Sequence, residues 1–448
     1  MTEGERHETA GAGRVLTLST IAFTVMFAVW LMFGILGVKI ADEFKLSTSQ
    51  LFWISSLAVL NGSLWRLPAG MLADRIGGKK VMLYLLVTGA AASLAVAFAN
   101  SYPMLLVLGF LVGFVGNGFS AGIAWNSAWF SDRRKGFALG VFGAGNVGAS
   151  VTKFIGPAII ATTGGAVYFG IIPGGWRLIP VIYAVLLLAT AVAMWLICPK
   201  VDRVPGASQS VRQMVEPLSD VRVWRFSLYY VVVFGAYVAL SAYLPTYYVK
   251  SYGIGLTEAG LLAASFIFPA SLLRPVGGWF SDRWGARRGM YLTFSVMTAM
   301  CLVLTIPSGD RVTKDAAGVV TGHDPFGLPL WAFVALVFVL GCAMGIGKAS
   351  VYKHIPTYFP THVGSVGGLV GMLGGLGGFF LPLMFAYAQE ATGTWSTAFA
   401  ILLVFVLVSL TWMHLVIRRM TRDAPHLADT VEVPPHGLRP TTTEEMHR

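Results

Sequence analysis

Charge is what this chain has least of. Only 12% of its 448 residues are Asp, Glu, Lys or Arg, about half the share of an ordinary water-soluble domain. That scarcity excludes a soluble enzyme and a disordered protein. It also excludes a nucleic-acid-binding domain, despite a net charge of +11. Cysteine is almost missing: Cys198, Cys301 and Cys342 each lie in apolar sequence, with no metal-type spacing and no possible disulfide framework. No metal or other cofactor is implied. Carboxylates are absent from the apolar runs altogether, since all 21 lie in loops, tails or at the ends of those runs.

What the chain does have is apolar length, with 56% hydrophobic residues and a mean hydropathy of +0.70. A helix needs about 20 mainly apolar residues to cross a bilayer. Twelve such spans can be read, near 15–38, 50–72, 79–100, 103–130, 136–161, 175–198, 223–249, 258–280, 289–307, 328–358, 363–388 and 396–417. The expected class is an all-α polytopic membrane protein in contact with the lipid bilayer. The expected organisation is a polar N-terminus (1–14), a six-helix half (15–198), a connecting loop (199–222), a second six-helix half (223–417) and a polar tail (418–448). The first apolar run is too long for a signal-peptide core, so no cleaved leader is expected. The tail is Pro/Thr-rich without an apolar face, and is expected to be disordered. Most Lys and Arg residues sit in the termini and in loops 2–3, 4–5, 6–7 and 8–9. The opposite loops hold only Lys39, Lys45, Arg177, Lys250, Arg311 and Lys314. The positive-inside rule then puts both termini in the cytoplasm.

The two halves repeat. At an offset of 208, Arg66, Gly70, Asp74, Arg75 and Gly77 fall on Arg274, Gly278, Asp282, Arg283 and Gly285, and Lys79/Lys80 fall on Arg287/Arg288. At an offset of 229, Gly116, Gly118, Phe130, Gly145 and Gly148 fall on Gly345, Gly347, Phe359, Gly374 and Gly377. The longer offset matches a hydrophilic insert between spans 9 and 10. Parallel six-span repeats around a midplane site are the architecture of the major facilitator superfamily. The G-x3-D-R-x-G-x-[KR]-[KR] stretch after spans 2 and 8 resembles that superfamily's cytoplasmic loop motif, and implies a gating role for Asp74, Arg75, Asp282 and Arg283.

Five basic residues lie inside the spans and away from their ends: Arg66, Lys153, Arg274, Lys348 and Lys353, with His354 beside the last. A charge at mid-membrane costs roughly 2.5–3.5 kcal/mol on insertion scales and is a functional-site candidate by default. Arg66 and Arg274 lie two turns inside Asp74 and Asp282, about 12 Å at helical rise, which is too deep for easy snorkelling. With no carboxylate in reach, the simplest counter-ion is a small anionic substrate. Arginine stays protonated and presents a planar fork to flat oxyanions. Glycine is dense in spans 4, 5, 10 and 11, as close helix packing requires. Gly145, Asn146, Gly374 and Gly375 are the places where a backbone or amide contact to the anion is expected.

Two long stretches then carry a resemblance. G-N-G-F-S-A-G-I-A-W-N-S-A-W-F (116–130) with K-G-F-A-L-G-x3-G-A-G-N-V-G (135–148), and G-G-L-V-G-M-L-G-G-L-G-G-F-F-L-P (367–382), resemble the nitrate motifs of the nitrate/nitrite porter (NarK-type) family. The likeness covers nearly all of residues 15–418. It implies that Arg66 and Arg274 clamp nitrate, that Asn146 hydrogen-bonds it, and that Tyr230, Phe234 and Phe119 line the site. The spans 234–248 and 345–356 resemble the subgroup taken to be proton-coupled importers, as against the group that exchanges nitrate for nitrite. Symport of an anion needs protons. With no buried carboxylate to carry them, Lys348, Lys353, His354 and Lys153 are the candidates. Lys348 is favoured because its repeat-mate at 229 is Phe119. Rival readings are a nitrate/nitrite antiporter, a porter of sulfate, phosphate or a monocarboxylate, and a non-transporting anion sensor. The sensor would need a larger soluble region than the tail or the inter-half loop. A membrane enzyme is excluded for want of paired carboxylates or a nucleophile–base set in the spans. The superfamily resemblance implies a monomer.

Overall fold

The computed structural model describes residues 3–130, 132–168, 170–204, 210, 212, 216–307, 313–314, 320–322, 327–359 and 363–423. Its helices group into twelve spans. Six are broken near their middles. Span 1 is Glu3–Trp30 followed by Phe33–Phe44, span 2 is Thr48–Leu64 followed by Arg66–Ile76, and span 8 is Leu256–Leu272 followed by Arg274–Trp284. Span 4 joins Tyr102–Val112 to Gly118–Trp129 through a 3-10 turn at Gly113–Asn117, and span 5 joins Asp132–Ala144 to Gly148–Thr163 through another at Gly145–Val147. Span 7 joins Val221–Tyr230 to Ala236–Tyr252 through a π-helical turn, Val231–Gly235. The others are Gly78–Val96 (span 3), Leu178–Ile197 (span 6), Ala286–Leu304 (span 9), Leu330–Tyr358 (span 10), Val363–Thr392 (span 11) and Thr397–Asp423 (span 12).

Local chemistry sets the ends. Ser47 and Gln50 form a reciprocal capping box that starts span 2, which satisfies orphan amides at the helix start. Asp220 caps span 7 by accepting from the Arg222 N–H at 2.8 Å. The Lys79 ammonium donates to the Trp195, Cys198 and Pro199 carbonyls at 3.0–3.2 Å, covering the carbonyl end of span 6 as cations do. Several expected boundaries move, most at the two ends of the chain. Span 1 is helical from Glu3, well before 15, and span 12 runs to Asp423, past 417. A helix needs no apolar surface once it leaves the bilayer, so hydropathy marks the membrane boundary and not the helix end. Residues 424–448 of the expected tail lie outside the described residues.

The repeat is written in the backbone. Trp65 and Leu273, 208 apart, break spans 2 and 8 with φ/ψ of −88/6 and −80/0. Gly77 and Gly285 follow at 97/138 and 93/144, a region that side chains avoid.

Nine stretches among the described residues are apolar and long enough to cross a membrane by composition alone; spans 2, 5 and 9 are not among them. The reason is visible in their residues. Span 2 carries Asn61, Ser63 and Arg66, span 5 carries Asn146 and Lys153, and span 9 opens on Arg287 and Arg288. In spans 2 and 5 this polarity is buried and lowers the average without being exposed to lipid, whereas in span 9 it sits at the end of the helix. Spans 3, 6 and 12 present the apolar exterior instead, with Tyr84, Val192, Trp195, Leu196, Val404 and Leu415 all exposed, an apolar surface of the kind that lipid covers.

The two halves meet most closely at the end away from both termini. The Trp53 indole N–H donates to the Tyr387 hydroxyl at 3.0 Å, and the Ser49 N–H donates to Glu390 at 2.7 Å, tying span 2 to span 11. Gly34 of span 1 lies against the Ser241–Ala242 backbone of span 7, and Gly260 of span 8 lies against the Lys153 carbonyl of span 5. This end of the molecule is shut. Close approach is also what fixes span 1 on span 5. A Cβ at Gly148 would stand 2.0 Å from the Thr24 carbonyl oxygen, a backbone atom that cannot rotate away. Gly148→Ala is therefore expected to cost about 1–3 kcal/mol, read as a lower Tm in detergent. Gly140→Ala is the control, since a Cβ there meets nothing within 4 Å. Equal Tm values for the two variants would refute this packing argument.

Candidate functional site

The breaks bring a single layer of polar and aromatic side chains together. Arg66 and Arg274 each open the second segment of a kinked span. Irregular backbone at membrane depth is tolerated where it is enclosed by protein or lines a polar path, and half-helix N-termini favour anions.

Arg66 is 1% exposed. Its Nε donates to the Gly62 carbonyl at 3.0 Å and its Nη1 to the Gly371 carbonyl of span 11 at 2.9 Å. Its guanidinium lies 5.2–5.4 Å from the ring centroids of Trp30, Phe119 and Phe234, near enough for cation–π attraction. Arg274 stands over the same Phe119 ring at 5.7 Å and over Tyr352 at 5.6 Å. The two arginines thus share one aromatic ring, although they belong to opposite halves. Their hydrogen bonding differs, because the Arg274 Nη1 is buried without a hydrogen-bond partner.

Buried atoms without a partner also occur on Asn146, Tyr230 and Ser63. Asn146 is 1% exposed, and neither its amide nitrogen nor its amide oxygen has a partner. The hydroxyls of Tyr230 and Ser63 are also buried and unpartnered. A buried polar group left unsatisfied costs about 1–3 kcal/mol, so these unpartnered atoms on spans 2, 5, 7 and 8 are candidates to meet a ligand. The π-helical turn of span 7 has a clear local effect. It stacks Tyr230 on Phe234 at 4.9 Å with the rings nearly parallel, and Tyr230 meets Tyr352 edge-on at 5.0 Å. Single π turns often occur at functional sites for this reason, since one extra residue re-aims the side chains that follow.

The glycines divide. Gly374 lets Tyr230 lie against span 11, where a Cβ would fall 2.3 Å from its ring. Gly375 lies beside Ser63 and Arg66, at 2.7 Å from the hydroxyl and 3.1 Å from Nη1 for the same imaginary Cβ. Gly145 faces span 1, against Phe23, Thr24 and the Thr20 carbonyl.

Of the proton-carrier candidates, Lys348 joins the layer. It is fully buried, donates to the Ala270 carbonyl at 3.1 Å, and stands over the rings of Tyr237 (3.1 Å) and Phe234 (5.8 Å). Lys153 is equally buried, two turns beyond Asn146, and donates to the Ala149 carbonyl of its own helix at 3.2 Å. His354 lies apart, with Nδ1 2.7 Å from the Ser350 carbonyl and its ring packed on Phe226 and Tyr358. Lys353 is exposed. Among the described residues, the buried charged side chains are all basic: Arg66, Lys79, Lys153, Arg225 and Lys348, with His354.

The gating candidates stand at the end that carries the termini. Asp74 is half-buried, Arg75 and Arg283 are exposed, and Arg283 lies over Trp284 and Trp279 at 5.5 and 6.0 Å. The Asp282 side chain lies outside the described residues. A carboxylate that sequence reading passed over, Asp202, accepts the Lys79 backbone N–H and the indole N–H groups of Trp125 and Trp129 at 2.8–2.9 Å. It ties the loop after span 6 to the start of span 3 and the end of span 4. Trp30, Ser63 and Tyr352 at the arginines were also missed, and so was the Tyr237–Ser271 hydroxyl pair. Ser63 and Ser271 had a usable signal, since Ser-Leu-x-Arg repeats at the same offset of 208. Tyr352 lies one turn after Lys348 and so shares its face.

Twelve spans in two repeated halves, with polar irregular backbone at mid-depth, define a secondary carrier. The sequence pattern of the Major Facilitator Superfamily matches residues 18–320 and 247–443. A bacterial homologue of the human lysosomal transporter Spinster, in its inward-facing and unoccupied conformation, superposes with a TM-score of 0.68 over 93% of this chain and 98% of that one, at 15% identity. The chain is 59% identical over 431 residues to the probable nitrate/nitrite antiporter NarK1 of Thermus thermophilus, covering 95% of this chain and 96% of that protein. It is 32% identical to the probable nitrate transporter NarT of Staphylococcus haemolyticus, over 90% of this chain and 97% of that one. The chain belongs to the NarK-type nitrate/nitrite porters of the major facilitator superfamily.

Proposed function

We propose that this protein carries nitrate, with nitrite as its second anion, across the inner (plasma) membrane by alternating access, and that net nitrate uptake is coupled to protons. The observation that carries the reading is the layer of buried, unpartnered hydrogen-bonding atoms around Arg66 and Arg274, with no buried carboxylate among the described residues. The Arg274 Nη1, the Asn146 amide and the Tyr230 and Ser63 hydroxyls offer donors from both halves to one small acceptor-rich group. A flat oxyanion between two guanidinium groups also neutralises their mutual repulsion, and so favours closure of the two halves around itself. Both arginines come from one chain, so a monomer suffices. Both termini face the cytoplasm in this reading, with the shut end outside.

Two energetic facts separate symport from exchange. Moving an anion inward against an inside-negative potential opposes about 2.3 kcal/mol per charge per 100 mV, so net uptake needs two co-moving protons to be driven by that potential. Exchange of nitrate for nitrite moves no net charge. The empty carrier, with two unshielded arginines, returns poorly, which favours exchange, and the Thermus relative is called an antiporter. The buried Lys348 beside Arg274 favours symport, because exchange alone gives a titratable cation in the site no task.

Labelled-nitrate uptake into proteoliposomes under two separate drives decides the matter. An inward proton gradient with no internal anion is expected to drive accumulation. Internal nitrite without a gradient is expected to drive a faster exchange. Uptake with internal nitrite alone would leave exchange as the function. Sulfate, phosphate or a monocarboxylate outcompeting nitrate would move the assignment to another anion. Binding without any uptake would make the protein a sensor.

A further inference from the structure

Tyr237 is completely buried on span 7, and it touches both ends of the proposed machinery. Its hydroxyl lies 2.9 Å from the Ser271 hydroxyl of span 8 and 3.4 Å from the Asn146 carbonyl oxygen in the 3-10 turn of span 5. Ser271 also lies 2.8 Å from the Ile267 carbonyl. Two hydroxyl protons therefore serve two carbonyls and each other. In one polarity Ser271 donates to Tyr237, which donates across the halves to Asn146. In the other, Tyr237 donates to Ser271, which donates to Ile267, and the link to Asn146 is released. On its other side, the Tyr237 ring carries the Lys348 ammonium 3.1 Å from its centroid.

We propose that Tyr237 is the positioning residue that couples the anion site to Lys348. An anion drawn to the Asn146 amide moves the turn whose carbonyl Tyr237 holds, and the ring that moves with that hydroxyl is the surface on which Lys348 rests. Tyr237 passes no proton; it fixes where Lys348 stands relative to the anion. This rests on the nitrate symport reading above. It adds to that reading a residue outside the clamp, through which the two cargoes are made to travel together.

The test uses the full-length protein in proteoliposomes, with Tyr237→Phe read in two modes side by side. Tyr237→Phe keeps the ring under Lys348 and cuts the hydroxyl link to span 5. Nitrate/nitrite exchange is expected to stay within about threefold of wild type, while accumulation driven by the proton gradient falls at least about tenfold, the size of an ordinary coupling energy between sites. Ser271→Ala, which removes the hydroxyl partner and leaves Tyr237 intact, is expected to shift the ratio in the same direction. It serves as the readout if Tyr237→Phe does not fold. An equal fall in both modes would make Tyr237 packing only, and an unchanged ratio in Ser271→Ala and Tyr237→Phe would overturn the coupling role. A wild type that exchanges but does not respond to the proton gradient would overturn the symport reading and this inference with it.

Discussion

Arg274→Lys is expected to lower nitrate kcat/KM about a hundredfold without unfolding the protein. Hydrogen bonds to a charged group are worth about 1.5–3 kcal/mol each, and every 1.4 kcal/mol is tenfold. Lysine keeps the charge and loses the planar fork, so this substitution isolates geometry from electrostatics. The structure makes Arg274 the cleaner of the two sites. Its Nη1 has no hydrogen-bond partner among the described residues, and its guanidinium lies over the rings of Phe119 and Tyr352. Arg66 is embedded differently. Its Nε and Nη1 hold the Gly62 and Gly371 carbonyls, and three aromatic faces surround it. Arg66→Lys is therefore expected to lower nitrate turnover at least as far and the Tm as well, because it breaks a bond between spans 2 and 11. Counterflow of labelled nitrate together with thermal unfolding in detergent separates the two effects. Arg274→Lys with near-wild-type kcat/KM would show that Arg274 does not hold the anion.

The contrast between the arginines explains how far sequence reading could go. The repeat Arg-x3-Gly-x3-Asp-Arg announced both residues, because a charge in an apolar run is rare and the same charge at the same offset is rarer. The backbone repeats as well, with matched kinks at Trp65 and Leu273 and matched positive-φ glycines at 77 and 285. The superfamily fold followed from the same pattern. Other features left no readable trace. Periodicity does not show where a helix gains a residue, so the π turn that stacks Tyr230 on Phe234 was invisible. Asn146 stood out as an amide among glycines, whereas Tyr237 is one of six tyrosines between 229 and 248, and nothing local separates the one that touches Lys348 from those packed in the span. Asp202 lies in a polar loop where one more carboxylate carries no information. Its role appears only when the indoles of Trp125 and Trp129 are brought to it by the fold.

Lys348→Gln is expected to reduce proton-driven nitrate accumulation by two orders of magnitude or to background, a loss of about 2.7 kcal/mol or more at tenfold per 1.4 kcal/mol. The cause is counter-charge. Lys348 is fully buried, its polar contacts are the Ala270 carbonyl and the faces of Tyr237 and Phe234, and the buried charged groups around it are all basic. A carbonyl and two rings stabilise an ammonium far less than a carboxylate would, and desolvation of a lone charge is costly. The partner that can balance it is the anion held by Arg274 on the adjoining span. Under the proposed symport, protonation of Lys348 and occupancy of the site support each other, and that mutual support would let a proton gradient drive an anion inward. Glutamine fills similar space and cannot take the proton, so the link is cut while the clamp remains. Exchange should survive in Lys348→Gln at a rate within several-fold of wild type, because swapping nitrate for nitrite leaves the site's charge unchanged. His354→Gln and Lys353→Gln are expected to keep accumulation, since neither side chain reaches the layer that holds the arginines. Accumulation intact in Lys348→Gln but lost in His354→Gln would move the proton path to the end of span 10 that carries the termini, and would leave Lys348 as a fixed charge that helps attract the anion.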